Sequence, residues 1–150
     1  MRVLRRAVIG FFIYIAVCTV AAFTVRSLIP EFGEEGDDAF SVVAAMGGRK
    51  FKSFAPMLRS GSVTAFMGGV ELDLRQSTIV ESATLSLRAF MGGVDVLVPV
   101  GWRVEVAKSV VMGGITNRTD PDGVDEDAPL LLIDAVITMG GIEIHSSQEA

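Results

Sequence analysis

At 150 residues the chain has room for one domain and an accessory segment, and with half of its residues apolar it can fill a sizeable core. Its formal charge of −5 hides an asymmetry: all 18 acids lie after Pro30, where only nine of the 13 Lys and Arg remain, so that part carries −9. Such a surface argues against nucleic acid as a partner, and one cysteine, Cys18, excludes an intrachain disulfide.

The first predicted element is a membrane helix. Residues 8–25, VIGFFIYIAVCTVAAFTV, contain no charge, and Ser27 to Ile29 prolong the stretch beyond Arg26. At 1.5 Å per residue this reaches roughly 27 to 33 Å, the thickness of a bilayer core. A span over residues 7–29 is expected after a short N-terminus, 1–6. Arg2, Arg5 and Arg6 before the span place that N-terminus in the cytoplasm and the rest of the chain outside. A cleaved signal peptide is the alternative, with Val20 and Ala22 ahead of the cut, but the apolar run exceeds the usual ~7 to 15 residues. Val17 is too bulky for a lipoprotein cleavage box before Cys18. Residues 30–38, rich in Glu and Asp, read as a linker.

Beyond the linker the chain repeats itself. AFMGGVELDL from Ala65 returns as AFMGGVDVLV from Ala89, and Met-Gly-Gly recurs at Met46, Met67, Met91, Met112 and Met139, at intervals of 21, 24, 21 and 27 residues. Periods of this size mark repeat architectures. Before the triplets apolar residues alternate, as in Leu85, Leu87, Ala89 and Leu131, Ile133, Ala135, Ile137; after them alternation resumes, as in Val70, Leu72, Leu74 and Val94, Val96, Val98. Period two is the mark of a half-buried strand.

Met67 and Val70 stand three apart, so an unbroken strand sends them to opposite faces. If both are interior, the glycines must re-phase the chain at a corner. Gly47 and Gly48, Gly68 and Gly69, Gly92 and Gly93, Gly113 and Gly114, and Gly140 and Gly141 are the expected corners. Stacked in sequence order at ~4.8 Å, the repeats predict a solenoid of about five rungs over residues 39–145, followed by a short tail, 146–150. Its interior is expected to carry a ladder of Met46, Met67, Met91, Met112 and Met139 beside Ala44, Ala65, Ala89, Val110 and Ile137. Arg49, standing where later repeats have Val70 or Val94, marks the first repeat as an end cap, and Phe51 to Ser62 is expected to include a short helix or turn closing that end.

The phrases AFMGGVELDLRQ, AFMGGVDVLVPVGWRVEV and LLLIDAVITMGGIEI resemble the C-terminal domain of the LiaF-like family, named for the response to cell-wall-active antibiotics. Val98, Pro99, Trp102, Val104 and Val106 match its Val-Pro and Trp strand, and the likeness covers roughly Ala39 to Ile144. It implies a right-handed parallel β-helix and, in regulatory members, restraint of a membrane histidine kinase during envelope stress. Methionine here replaces the usual phenylalanine of the repeated phrase, and one span replaces a multi-helix membrane segment.

Residues that carry chemistry are sparse. Asp120, Asp122, Asp125, Glu126 and Asp127 crowd the longest interruption, 117–129, but the glycine stands fourth after the first Asp and no flanking helices are expected, so a solvated loop is preferred to a calcium site. Glu71, Asp95 and Glu143 occupy corresponding outward places and predict an acidic column, with Asp73 beside it. His145 is the sole histidine, so triads and zinc sites lack parts. No catalytic, cofactor or metal residue is assigned and an enzyme is not expected; Trp102 is read as a half-buried corner residue. Ala45, Phe66, Phe90, Val111 and Thr138 precede the methionines and should face outward, with Phe66, Phe90 and Val111 as a protein-binding stripe.

The expectation is a single-pass membrane protein whose extracytoplasmic domain senses or regulates envelope stress by binding protein, a sensor kinase or a second copy. The alternatives are a self-assembling scaffold at the membrane and a module binding cell wall or carbohydrate.

Overall fold

A computed structural model describes the backbone of residues 2–28, 31–120 and 123–147. The side chains of residues 2–6, 22, 25 and 26 lie outside the described part, and with them the arginines on which the expected topology rests; so do Pro30, Asp122 and residues 148–150. Helix α1 spans Arg2–Leu28. Its Thr19 and Thr24 hydroxyls donate to the carbonyls of Ile15 and Val20 four residues back, at 2.8 and 2.7 Å, which satisfies them within an otherwise apolar stretch. The expected membrane span over 7–29 is corrected: among the described residues no helix is long and apolar enough to cross a membrane.

The rest of the chain forms seven strands, β1 Ala39–Ala44, β2 Gly47–Lys52, β3 Ser60–Phe66, β4 Gly68–Asp73, β5 Ser82–Val98, β6 Arg103–Arg118 and β7 Leu130–Ser146. All pair parallel within one sheet. The long strands β5, β6 and β7 bend at their Gly-Gly pairs, while the first two repeats break there into β1 with β2 and β3 with β4. The sheet therefore has two arms. It curls into a nearly closed barrel of parallel strands, which corrects the expectation of a right-handed β-helix of about five rungs wound in order.

The order of strands carries the second part of that correction. β5 pairs with β7 and β7 with β6, so the last repeat lies between the third and the fourth. The physical reason is in the inward residues. Those of β7, Leu131, Ile133, Ala135, Ile137, Ile142 and Ile144, are apolar and fully buried, whereas β6 puts Lys108 and Asn117 in register with Ala135 and Ile144. A lysine and an asparagine in inward columns are tolerable only on a strand with one neighbour. The turn at Pro99 to Trp102 thus carries β6 one place too far, and loop 119–129 returns the chain to the slot. Its end is pinned there, with Arg103 N–H donating to Pro129 O at 2.9 Å and Leu130 N–H to Glu81 O at 3.1 Å.

The core lies between the arms. Val63, Leu85 and Leu87 from the first arm meet Leu72, Val96 and Val98 from the second, with Ala55, Leu58, Ile79 and Trp102 closing the third side from the connections. The connections stack as well: Thr78 N–H donates to Ala55 O at 2.9 Å, and the buried Ser77 hydroxyl to Ser53 O at 3.0 Å. At the β1 edge Phe32 forms an antiparallel bridge with Ser41. Arg49, in the column of Val70, turns to pair with Glu31 and to donate to Val43 O, so the expected end cap is realised by an ion pair.

Each corner is a backbone stack. A Cβ on Gly68 would strike the carbonyl oxygen of Gly47, one on Gly92 that of Gly68, one on Gly140 that of Gly92 and one on Gly113 that of Gly140. Gly140 also holds φ +141, a conformation side chains rarely adopt. Gly140→Val is therefore expected to destabilise the domain by roughly 2–4 kcal/mol, whereas Gly48→Ala, whose Cβ meets nothing within 4 Å, should stay within ~0.5 kcal/mol. Urea melts of the two variants separate corner strain from mere loss of glycine.

Candidate functional site

The methionines are not interior. Met46 is 58% exposed, Met91 42%, Met112 57% and Met139 38%, while the adjacent Ala44, Ala65, Ala89 and Ile137 are buried as expected. In the second and third repeats the re-phasing happens at the methionine, since Met67 and Met91 hold φ +56 and +55, whereas in the other three the first glycine, Gly47, Gly113 or Gly140, takes the positive φ as expected. At Met67 and Met91 a left-handed residue turns the chain before the glycines. Four residues therefore lie outside the core at each corner, and the interior resumes at Val70 and Val94.

The stripe predicted from sequence does face outward. The Phe66 and Phe90 rings stack at 5.0 Å with 5° between their planes, Phe90 is 40% exposed and Val111 78%. Joined by the methionines, they make an apolar ridge along the corner of the barrel, crossing every repeat. Sequence reasoning found the aromatic part and missed the thioether part.

On the other side of the glycines runs the expected acidic column. Lys50, Glu71, Asp95, Glu143 and Thr116 are successive neighbours across the second arm. Because β7 is inserted beside β5, Asp95 and Glu143 are adjacent rather than separated by a repeat. Basic side chains gather on them: Lys50 Nζ lies 2.7 Å from Glu71, Arg118 3.0 Å from Glu143, and the His145 imidazole Nε2 3.3 Å from Asp95 and 3.5 Å from Glu143. The hydrogen bond and charge of Glu71 raise the Lys50 pKa. His145 is thus between two carboxylates on an inner strand, not at a free end.

Between ridge and column the second glycines, Gly48, Gly69, Gly93, Gly141 and Gly114, floor an open groove of about 740 Å3. Asp73, in the next column, receives a bidentate fork from Arg75, Nε at 2.9 Å and Nη2 at 2.8 Å. Those hydrogen bonds hold its carboxyl below the ordinary carboxylate range, against a smaller opposing effect of burial. In loop 119–129 Asp120 accepts from Gly123 N–H at 3.2 Å, an ordinary loop bond; among the described residues no group of three or more His, Cys, Asp or Glu is placed to hold a metal. Trp102 is buried rather than half-buried, so it offers no stacking platform for a sugar.

Comparison with known proteins settles the family. The family model described as cell wall-active antibiotics response LiaF, C-terminal, matches residues 46–126, more than half of the chain. The chain belongs to the LiaF-like C-terminal family. No curated protein and no solved structure matches it. Membership ties the protein to the response to cell-wall-active antibiotics, and in this LiaF-like chain the matched segment runs from the first corner into the loop after β6. It includes the ridge residues Phe66, Phe90 and Val111.

Two outcomes check the site. Met91→Ala should change stability by no more than ~0.5 kcal/mol and Leu87→Ala by about 2–5 kcal/mol, which urea melts resolve. Asp73→Asn should lower stability at neutral pH. Since the folded pKa is depressed, the contribution is present above the unfolded value and disappears as pH falls through the folded one. The gap between variant and parent in urea midpoint should therefore close on acidification below the ordinary carboxylate range.

Proposed function

We propose that this LiaF-like chain acts in the cell-envelope antibiotic response as a binding protein, using the Phe66, Phe90 and Val111 ridge to hold a protein partner, a sensor kinase in the regulatory pattern of the family. The observation that carries this reading is the exposed apolar ridge itself: stacked aromatics and methionines in water-facing positions are kept for contacts. Aromatic anchors dominate interface energies. The location we propose is the cell membrane surface, with the barrel outside the cytoplasm. It is supported by the described side chains of α1, among which Phe11, Phe12, Ile13 and Val17 are exposed and call for an apolar covering.

Self-association is a second reading, supported by the open edge of β6, where among the described residues nothing pairs with its outer side and Val110 is exposed. Head-to-tail growth into a scaffold is disfavoured because the outer side of β1 is already bridged by Phe32.

Phe90→Ser tests the ridge. It should fold within ~0.5 kcal/mol of the parent, and cells producing it should keep the altered susceptibility to a cell-wall-active antibiotic that follows loss of the chain. Full restoration of susceptibility by Phe90→Ser, at equal abundance, would remove the ridge from the function.

A further inference from the structure

The groove beside the ridge narrows the kind of partner. The groove is lined by bare glycine, by Val70, Val94 and Ile142, and by the carboxylate column of Glu71, Asp95 and Glu143; the ridge residues Phe66, Phe90 and Met139 stand two or three residues before its floor glycines Gly69, Gly93 and Gly141. From Met67 to Glu71 is four residues, at most ~13 Å of extended chain, close to the ~10–12 Å diameter of a helix with its side chains. Five strands at ~4.8 Å spacing make the groove ~19 Å long, which accommodates about 13 helical residues.

We propose that the groove seats a basic amphipathic helix of a partner protein, its apolar face against the Phe and Met ridge and its Lys or Arg against Asp95 and Glu143. This rests on the protein-binding reading above. Three observations favour that occupant. Over Gly69, Gly93 and Gly141 the backbone flooring the groove is already hydrogen-bonded to strands on both sides, so an added strand finds no partner along the middle of the groove, whereas a helix brings its own backbone bonds. The carboxylates and the domain's net charge repel an anionic lipid surface and attract cationic side chains. The existing counter-ions are weakly held: the Lys50 and Arg118 side chains are 81% and 65% exposed, and exposed pairs contribute little, so incoming cations displace them at small cost.

The test uses the full chain in a neutral detergent and a fluorescent Leu/Lys amphipathic peptide of roughly 18 residues. A Leu/Glu peptide of the same pattern, phosphatidylglycerol vesicles and empty micelles serve as comparisons. The Leu/Lys peptide should bind in a salt-sensitive manner, the Leu/Glu peptide and the vesicles should not, and the pair Asp95→Asn with Glu143→Gln should weaken binding about tenfold or more. Asp95→Glu should bind like the parent. Equal binding of both peptides, a preference for the vesicles, no binding above empty micelles, or no loss in the neutralised pair would overturn the proposal. A photo-crosslinker at residue 90 in living cells separates the two readings. If it captures the same protein from the neutralised pair as from the parent, the ridge binds protein and only the basic-helix assignment fails; if it captures nothing from the parent, the protein-binding reading fails with it.

Discussion

The contact of glycine backbone with glycine backbone at the corners is what the remaining structure depends on. From Gly47 through Gly68, Gly92 and Gly140 to Gly113, each first glycine after Gly47 rests on the carbonyl of the one before it in the stack, leaving no space for a side chain. This spacing fixes the register of both arms at once, since a one-residue slip on either side of the corner would turn every inward side chain outward. The near-identical phrases of the chain are the chemical record of that requirement: a corner that must stack on itself has to be written the same way each time.

Register at the corner then decides what the surface looks like. With Ala65 and Ala89 inside before the turn and Val70 and Val94 inside after it, four intervening residues have no interior position to occupy. Two are glycines. The other two, Phe and Met in the second and third repeats, are pushed outward side by side, so the ridge is a geometric consequence of the corner as well as a candidate site. What the corner does not dictate is their chemistry. Small or polar residues would satisfy the turn at least as well, as Ala45 and Thr138 do in other repeats, so the choice of stacked phenylalanines at Phe66 and Phe90 points to use.

The sequence made the strands, the corners, the outward Phe stripe and the acidic column legible because each follows from a local rule: period two, paired glycines, parity across a fixed interval. The methionines were misplaced because parity was counted through them, and nothing local distinguishes a methionine at φ +55 from one in an extended strand. Strand order was misread for a different reason. Sequence order is the default for neighbouring repeats, yet the decisive residues, Lys108 and Asn117 in inward columns of β6, were visible; taken as a desolvation cost, they mark the strand that cannot be enclosed. The family resemblance was carried by the Val-Pro and Trp strand and by the repeated phrases, which are the same residues that build the barrel.

Inserting β7 between β5 and β6 has a consequence for the charged face. Had the repeats stacked in order, Thr116 would have separated Asp95 from Glu143, and His145 would have stood on the outermost strand, away from Asp95. The insertion instead sets two carboxylates side by side with one imidazole between them and Arg118 beyond. Like charges on neighbouring strands are unfavourable, and the fold offsets this with exposed cations at the margins rather than with a buried network. A face held in balance by weak surface pairs stays responsive to an incoming cation, because exchanging one exposed partner for another changes little in the folded chain itself. The topology that protects the apolar strand β7 is thus also what concentrates negative charge beside the groove.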